Sequence, residues 1–342
     1  MGSKCNNNCD YCYVKPFQQE GPIRIMGMDV LEPAIASCVE DNDFPTITWH
    51  GGEPTLAGLG FFQKVVELTG SKPCRNILQT HAMLIDQDFA AFLKQNNFEV
   101  SVSLDGPREV HGIHRKQLGR NTFDDVMRGI NFLRDADIMP SISATVTRET
   151  LQYAKETFSF FAQEGFRMLK FNAVFDSVRD KFSIPNDLWL DYLTRIFWAW
   201  AGNDDPGIVI REMDEVIFWI TGDNLPLCSD DRSCLNWVSV DPDGELYPCE
   251  YMRSLLPYGN IRNMPLSAIR RTDEFQRLSM MFEILPAKCR DCEFAELCGN
   301  GCPATRELNG KLSPDGVYVY CEQRKGLYET IKQAFGDACH QE

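Results

Sequence analysis

Two hydrophobic patterns take turns between about residues 29 and 220. Short apolar runs rich in β-formers occupy 44–49 (FPTITW), 76–80 (NILQT), 99–104 (EVSVSL), 141–147 (SISATVT) and 168–174 (MLKFNAV). Stretches with apolar residues at helical spacing follow them at 61–68, 86–94, 123–134, 150–164 and 188–200. Thr122 stands at the N-cap position of the third of these. Strand, helix, strand in regular succession predicts parallel strands joined by right-handed crossovers. An open doubly wound sheet and a full or partial (β/α) barrel both satisfy that pattern. Polar residues able to carry chemistry fall just after the strands: Gly51-Gly52-Glu53, Thr80-His81, Asp105 and Asn172. Both architectures build their sites at the C-terminal strand ends.

After about residue 222 the pattern breaks. Residues 225–321 are rich in Pro, Gly and Asp, lack long helical periods and are loaded with Cys. Such a segment is expected to be stapled by metal rather than held by a large core. Residues 322–338 read as one closing helix. The expected organisation is therefore 1–222 as the α/β domain, 223–325 as a cysteine-rich domain and 326–342 as a C-terminal helix.

Composition narrows the class. A chain of 342 residues, 44% hydrophobic and 24% charged, can bury a sizeable core across about two domains. A net charge of −15 argues against nucleic acid as a partner, since phosphate binding needs clustered Lys and Arg. No apolar run reaches the roughly 18 residues of a membrane span, and no signal peptide precedes the first motif. A cytoplasmic location without a membrane partner is expected. Secreted disulfide scaffolds are shorter and denser in Cys.

Cysteine placement carries the chemistry. Of fourteen cysteines, Cys5, Cys9 and Cys12 crowd the N-terminus, and Cys228, Cys234, Cys249, Cys289, Cys292, Cys298, Cys302 and Cys321 form a second group. Residues 75–227 hold none. Two tight sets flanking a cysteine-free interior read as metal ligands. Three thiolates can hold three irons of a cubane 4Fe–4S cluster and leave the fourth open. A zinc or redox loop is the plainer alternative for the triad. Eight thiolates suffice for two further clusters at four each, with a pair of zinc sites as the alternative. Cys38, Cys74 and Cys339 have no partner spacing, and Cys38 is expected to be buried helix filling.

The stretch Cys5-x3-Cys9-x2-Cys12, with Tyr11 before the last Cys, resembles the signature of the radical S-adenosylmethionine (SAM) enzymes. The resemblance implies a partial (β/α)6 barrel in which SAM chelates the open iron and is split reductively to a 5′-deoxyadenosyl radical. Gly51-Gly52-Glu53-Pro54 is similar to the segment that meets the SAM ammonium. Ser103-Leu104-Asp105-Gly106-Pro107 is similar to the one that contacts ribose. Gln79-Thr80-His81 stands where relatives often have Gln-Thr-Asn, so Gln79 is a candidate SAM contact and no role is assigned to His81. Arg115 is a candidate partner for the SAM carboxylate through its planar fork.

The second cysteine group resembles the SPASM extension of that family. By analogy Cys228, Cys234, Cys249 and Cys302 hold one auxiliary cluster, and Cys289, Cys292, Cys298 and Cys321 the other. Neither would bind SAM, because all their ligand positions are filled. A hairpin over 237–248 with a DPDG turn is expected to bring Cys234 and Cys249 together. In relatives that mature sulfatases an Asp proposed as base follows the third cysteine of this domain. Glu250 stands there and is the candidate catalytic base.

Enzymes with this domain pair act mostly on peptides or proteins and take single electrons from a flavodoxin- or ferredoxin-type reductant. Two peptide reactions compete: cross-linking of a β-carbon to an aromatic ring in a ribosomally made precursor, and oxidation of Cys or Ser to formylglycine in a sulfatase. Ile210-Arg211-Glu212-Met213 and the Glu250 departure tilt the expectation toward cross-linking. A non-catalytic iron–sulfur carrier and a zinc-binding interaction module are the alternatives of other classes. Relatives also place a strand before the triad, whereas only Met1–Lys4 precede it here. A strand needs about five residues, so either the chain as given is trimmed or the first of six barrel strands is missing or supplied from elsewhere.

Overall fold

The computed structural model describes residues 4–12, 14, 25–174, 181–222, 233–308, 311–312 and 316–339. Two compact units divide the chain, Met1–Arg211 and Glu212–Glu342.

Unit one holds β1 (Thr46–Trp49), β2 (Arg75–Thr80), β3 (Glu99–Ser103), a hairpin of β4 (Lys116–Gln117) and β5 (Arg120–Asn121), β6 (Ser141–Val146), β7 (Met168–Ala173) and β8 (Val209–Ile210). Its helices are α1 (Met28–Asp41), α2 (Leu59–Thr69), α3 (Gln87–Gln95), α4 (Arg108–His114), α5 (Phe123–Asp135), α6 (Ala154–Gln163) and α7 (Asn186–Ala201). The main sheet runs β1-β2-β3-β6-β7-β8, and every pair in it is parallel. A doubly wound sheet reverses its strand order at a switch point. This order never reverses, so the sheet is that of a partial (β/α) barrel. The sheet also has β8, a two-residue strand beyond β7 that the sequence did not predict, while residues 1–3, where the sequence looked for an upstream strand, lie outside the described residues. Two residues are too few to display an alternating pattern.

Register shows how the sheet divides its labour. Leu78, Val100, Val102, Ile142, Ala144, Leu169 and Phe171 are buried. This row faces helices: Trp49 meets Phe61 and Phe62 of α2 edge-on, and Phe171 lies between Phe161 of α6 and Tyr192 of α7. Cross-strand partners share a face. Gln79 pairs with Ser101, Ser103 with Ser143, Ser143 with Lys170, and Thr145 with Asn172. The second face is therefore polar, and Asn172 Nδ2 donates to Ser143 Oγ across it at 2.9 Å.

Thr122 occupies the N-cap position of α5 but makes no cap hydrogen bond. Its hydroxyl donates instead to the Arg115 carbonyl at 3.2 Å and meets His111 Nε2 at 3.1 Å. Tertiary partners have taken the group that local geometry would have used. Further along α5, Gly129 sits against the backbone just after His81. A Cβ there would lie 1.9 Å from the Ala82 carbonyl oxygen and 2.8 Å from its carbon. Backbone cannot swing aside as a side chain can. Gly129→Ala is expected to cost about 1–3 kcal/mol of overpacking, read as a lowered denaturation midpoint, and unchanged stability would show that α5 does not press on this segment.

Unit two begins in α8 (Arg211–Thr221), whose first residue belongs to unit one. It contains an antiparallel sheet of β9 (Ser239–Val240), β10 (Glu245–Tyr247) and β11 (Gly259–Asn260). The expected turn closes with Gly244 N–H donating to the Asp241 carbonyl at 2.9 Å. Gly244 adopts φ 83°, which a residue without Cβ reaches freely. Then come α9 (Asp273–Glu283), α10 (Ala287–Arg290), α11 (Ala295–Cys298), a second small sheet of β12 (Arg306–Leu308), β13 (Lys311–Leu312) and β14 (Val317–Tyr318), and the closing helix α12 (Cys321–Cys339). One core cluster here is small, formed by Cys234, Met252, Leu256, Leu278 and Phe282.

Candidate functional site

Three cysteines share a loop pinned at both ends. Glu53 N–H donates to the Lys4 carbonyl at 2.7 Å, Asn8 N–H to the Lys116 carbonyl at 2.8 Å, and Asp10 N–H to the His114 carbonyl at 3.2 Å. The loop thus lies between the turn after β1 and the end of α4. Cys9 is buried, while Cys5 and Cys12 are half-buried. Burial pushes the Cys5 thiol up to about 12, and Glu53, Cys9 and Cys12 add to that through their negative charge. Sulfurs crowded in this way ionise readily only when a cation joins them. Inside the loop the buried Asn7 Nδ2 and Oδ1 have no hydrogen-bond partner. Among the described residues no three His, Cys, Asp or Glu side chains close around the position of a single metal ion. An all-sulfur donor set with an orphaned amide beside it fits a bound iron–sulfur group.

Glu53 is a staple as much as a ligand candidate. Its Oε1 accepts from Thr55 N–H at 3.0 Å, Thr55 Oγ1 at 2.6 Å and Thr80 Oγ1 at 2.7 Å, joining the ends of β1 and β2. Oε2 accepts from His81 N–H at 2.9 Å. Oε2, with His81 Nε2 also 3.3 Å away, is the less committed of the two oxygens, and it and the backbone of Gly51 and Gly52 are what this segment offers a ligand. Gly51 holds φ 144°.

His81, given no role from sequence, ties the two segments together. Its Nδ1 accepts the Met83 N–H at 3.1 Å, so Nε2 carries the proton and donates to Asn6 Oδ1 at 2.7 Å. Burial lowers its pKa, in keeping with this neutral form. A lone His after a strand carries no signal of this task.

Asp105 sits at the centre of a second buried network. Its Oδ2 accepts from Tyr11 O–H at 2.5 Å and Arg115 Nε at 2.9 Å, and its Oδ1 from Thr145 N–H at 2.9 Å. Burial opposes ionisation, yet the Arg115 charge, with His111 and these hydrogen bonds, holds the carboxyl below its usual range. Arg115 Nη1 also approaches Cys9 Sγ at 4.0 Å. Arg115, singled out for a ligand carboxylate, is therefore first a partner of Asp105 and a neighbour of the loop. Gln79 and Ser103 lie half-buried on the polar sheet face. The two buried histidines of α4 had no signal in the sequence either; His114 meets Thr147 Oγ1 at 3.0 Å and Tyr11 edge-on.

In unit two, Cys228 lies outside the described residues. Cys234 and Cys249 pack in the same core cluster, as the hairpin predicted. Burial raises the Cys289 thiol, and the charges of Cys321, Cys298 and Cys292 raise it further. Those four are the set expected to share one cluster. Glu250 Oε2 accepts from Tyr247 O–H at 3.1 Å, and Arg253 Nη1 stands 3.8 Å from Oε1. With 28% of its side chain exposed, Glu250 is partly open to solvent. In unit one, Cys38 proves half-buried rather than buried, and its charge reaches Cys74, whose thiol burial pushes up to about 11.

Comparison with known proteins agrees with these features. Residues 1–161 match the model of the radical SAM superfamily, and residues 228–293 match that of the SPASM iron–sulfur cluster-binding domain. The chain is 29% identical to a cysteine-type anaerobic sulfatase-maturating enzyme of Clostridium perfringens, over 96% of this chain and 93% of that protein. It is 30% identical to an uncharacterised protein of Synechocystis sp., covering 87% and 81%. A solved structure described as native anSMEcpe with bound AdoMet and Cp18Cys peptide superposes with a TM-score of 0.88 at 28% identity, covering 99% of this chain and 96% of that one. The chain belongs to the radical SAM superfamily of enzymes and carries a SPASM domain behind its partial barrel.

Proposed function

We propose that this chain is a peptide-modifying radical SAM oxidoreductase that converts a Cys or Ser side chain to formylglycine, as in anaerobic sulfatase maturation. The observation that carries the reading is likeness along nearly the whole chain, in both units, to a sulfatase-maturating enzyme. That likeness outweighs the tilt toward cross-linking, which rested on one short segment and one Glu-for-Asp change. Cys5, Cys9 and Cys12 hold the SAM-binding cluster. Cys228, Cys234, Cys249 and Cys302 hold one auxiliary cluster, and Cys289, Cys292, Cys298 and Cys321 the other. When bound, these groups with SAM supply the 5′-deoxyadenosyl radical and take up the electron released as the substrate is oxidised.

The chain's own residues do the rest. Gly51, Gly52 and Glu53 receive the SAM ammonium, while Gln79, Ser103, Asp105 and Arg115 shape the remainder of its site. Oxidation of the substrate's β-carbon, with its hydrogen atom and electron passed to the bound groups, would also release one proton that this chain must accept. Glu250 takes that proton, with Tyr247 and Arg253 orienting its carboxylate. For a Cys substrate, water then replaces sulfur, which leaves as hydrogen sulfide. An external flavodoxin- or ferredoxin-type protein supplies the initiating electron.

Anaerobic turnover with a sulfatase-motif peptide, read by mass spectrometry, tests this. A new aldehyde at Cys or Ser is expected. A loss of two hydrogens with an unfragmentable span between two residues would instead establish cross-linking, and no 5′-deoxyadenosine with any peptide would favour an electron carrier. Glu250→Gln is expected to keep forming 5′-deoxyadenosine while aldehyde falls by about 10²-fold or more. Full product from that variant would remove Glu250 from the mechanism.

A further inference from the structure

Arg306 is a guanidinium with no exposed surface. A buried charge is ordinarily paired with an opposite one. Among the described residues no carboxylate reaches Arg306. Its Nε donates to the Asn300 carbonyl at 3.0 Å, its Nη2 to those of Gly299 and Gly301 at 3.0 Å each, and its Nη1 to that of Met281. The Phe282 ring lies 5.3 Å from its centre. All of these partners are neutral.

The three successive carbonyls exist because Gly299, Asn300 and Gly301 are all left-handed, at φ 55°, 66° and 58°. Gly and Asn are the residues that tolerate this conformation. A Cβ on Gly301 would also strike the Tyr318 ring at 2.4 Å. These three residues are the whole link between Cys298 and Cys302. Asn300 reaches further, with its Oδ1 3.5 Å from Cys289 Sγ. Burial depresses the Arg306 pKa, and the charges opposing that are those of Cys302, Cys289, Cys298 and Cys234. Arg306 thus grips, through three backbone carbonyls, the short link whose two ends, Cys298 and Cys302, belong to different cysteine sets.

We propose that Arg306 is the shared counter-charge of the two auxiliary clusters, a positioning residue that fixes the Cys298–Cys302 link and eases reduction of the groups on either side. This rests on the twin-cluster assignment above. A cation beside an anionic cluster stabilises its reduced form, since reduction adds negative charge, and such neighbours tune iron–sulfur potentials.

The test uses the full chain, reconstituted anaerobically, with Cys5, Cys9 and Cys12 replaced by Ala so that only the auxiliary clusters contribute. Iron content and spectroscopically monitored reduction are compared for that background, Arg306→Gln and Arg306→Lys. Arg306→Gln is expected to retain about eight irons and to become at least tenfold harder to reduce, about 59 mV for a one-electron couple. Arg306→Lys, which keeps the charge, is expected to restore most of the shift. Loss of iron in Arg306→Gln but not in Arg306→Lys would equally support the charge. Unchanged potentials in loaded Arg306→Gln, or equal loss of iron from both variants, would overturn it. A background holding no auxiliary iron would overturn the twin-cluster assignment itself, a failure visible before Arg306 is altered.

Discussion

Cys9→Ala is expected to abolish SAM cleavage. In reduced, reconstituted protein, 5′-deoxyadenosine should fall to background and iron should drop by about four atoms per chain. The reason is geometric as well as chemical. Cys9 is the buried member of the triad, in a loop pinned on both sides, so the place of its sulfur is fixed by the fold. Removing it leaves two thiolates, too few to hold a cube with one open corner. Cys38→Ala is the matched control, because Cys38 lies on α1 in neither cysteine set, and it should retain both iron and cleavage. Substantial cleavage by the Cys9 variant would show that SAM is split elsewhere.

Asp105→Asn is expected to have the largest effect on stability. The change is nearly isosteric but removes the charge that faces Arg115 in a site where Tyr11, Asp105 and Arg115 are all buried. Breaking one side of a buried pair costs about 3–5 kcal/mol, because the partner keeps its charge without compensation. For a unit of this size that corresponds to a melting point lowered by about 10 °C. The double variant Asp105→Asn/Arg115→Met should recover much of the loss, since no orphaned charge remains. A single variant as stable as the parent would mean that the Asp105–Arg115 pair contributes nothing to folding.

Legibility from sequence differed sharply between parts. The five longer strands were readable because each carries enough apolar residues to register as a run. The two-residue β8 and the hairpin 116–121 were not, since hydrogen bonding to neighbours, not pattern, defines them. Glu53 and Asp105 were found through their motifs, but their commitments to Thr80, His81, Tyr11 and Thr145 join segments from 27 to 94 residues apart. No local signal encodes such pairs. Arg306 has no signature in the sequence, because an Arg in a polar stretch reads as solvated surface until its burial is known.

Cysteine spacing by itself determined that the chain gathers sulfur into two ligand sets, since the interval between thiols is a covalent property of the chain. The βα alternation likewise determined the class of sheet. Folding alone decided that the strands run in unbroken order, that their second face is polar, and which buried charges answer one another. Those outcomes depend on which distant segments exclude water together, and no stretch of sequence contains that information on its own.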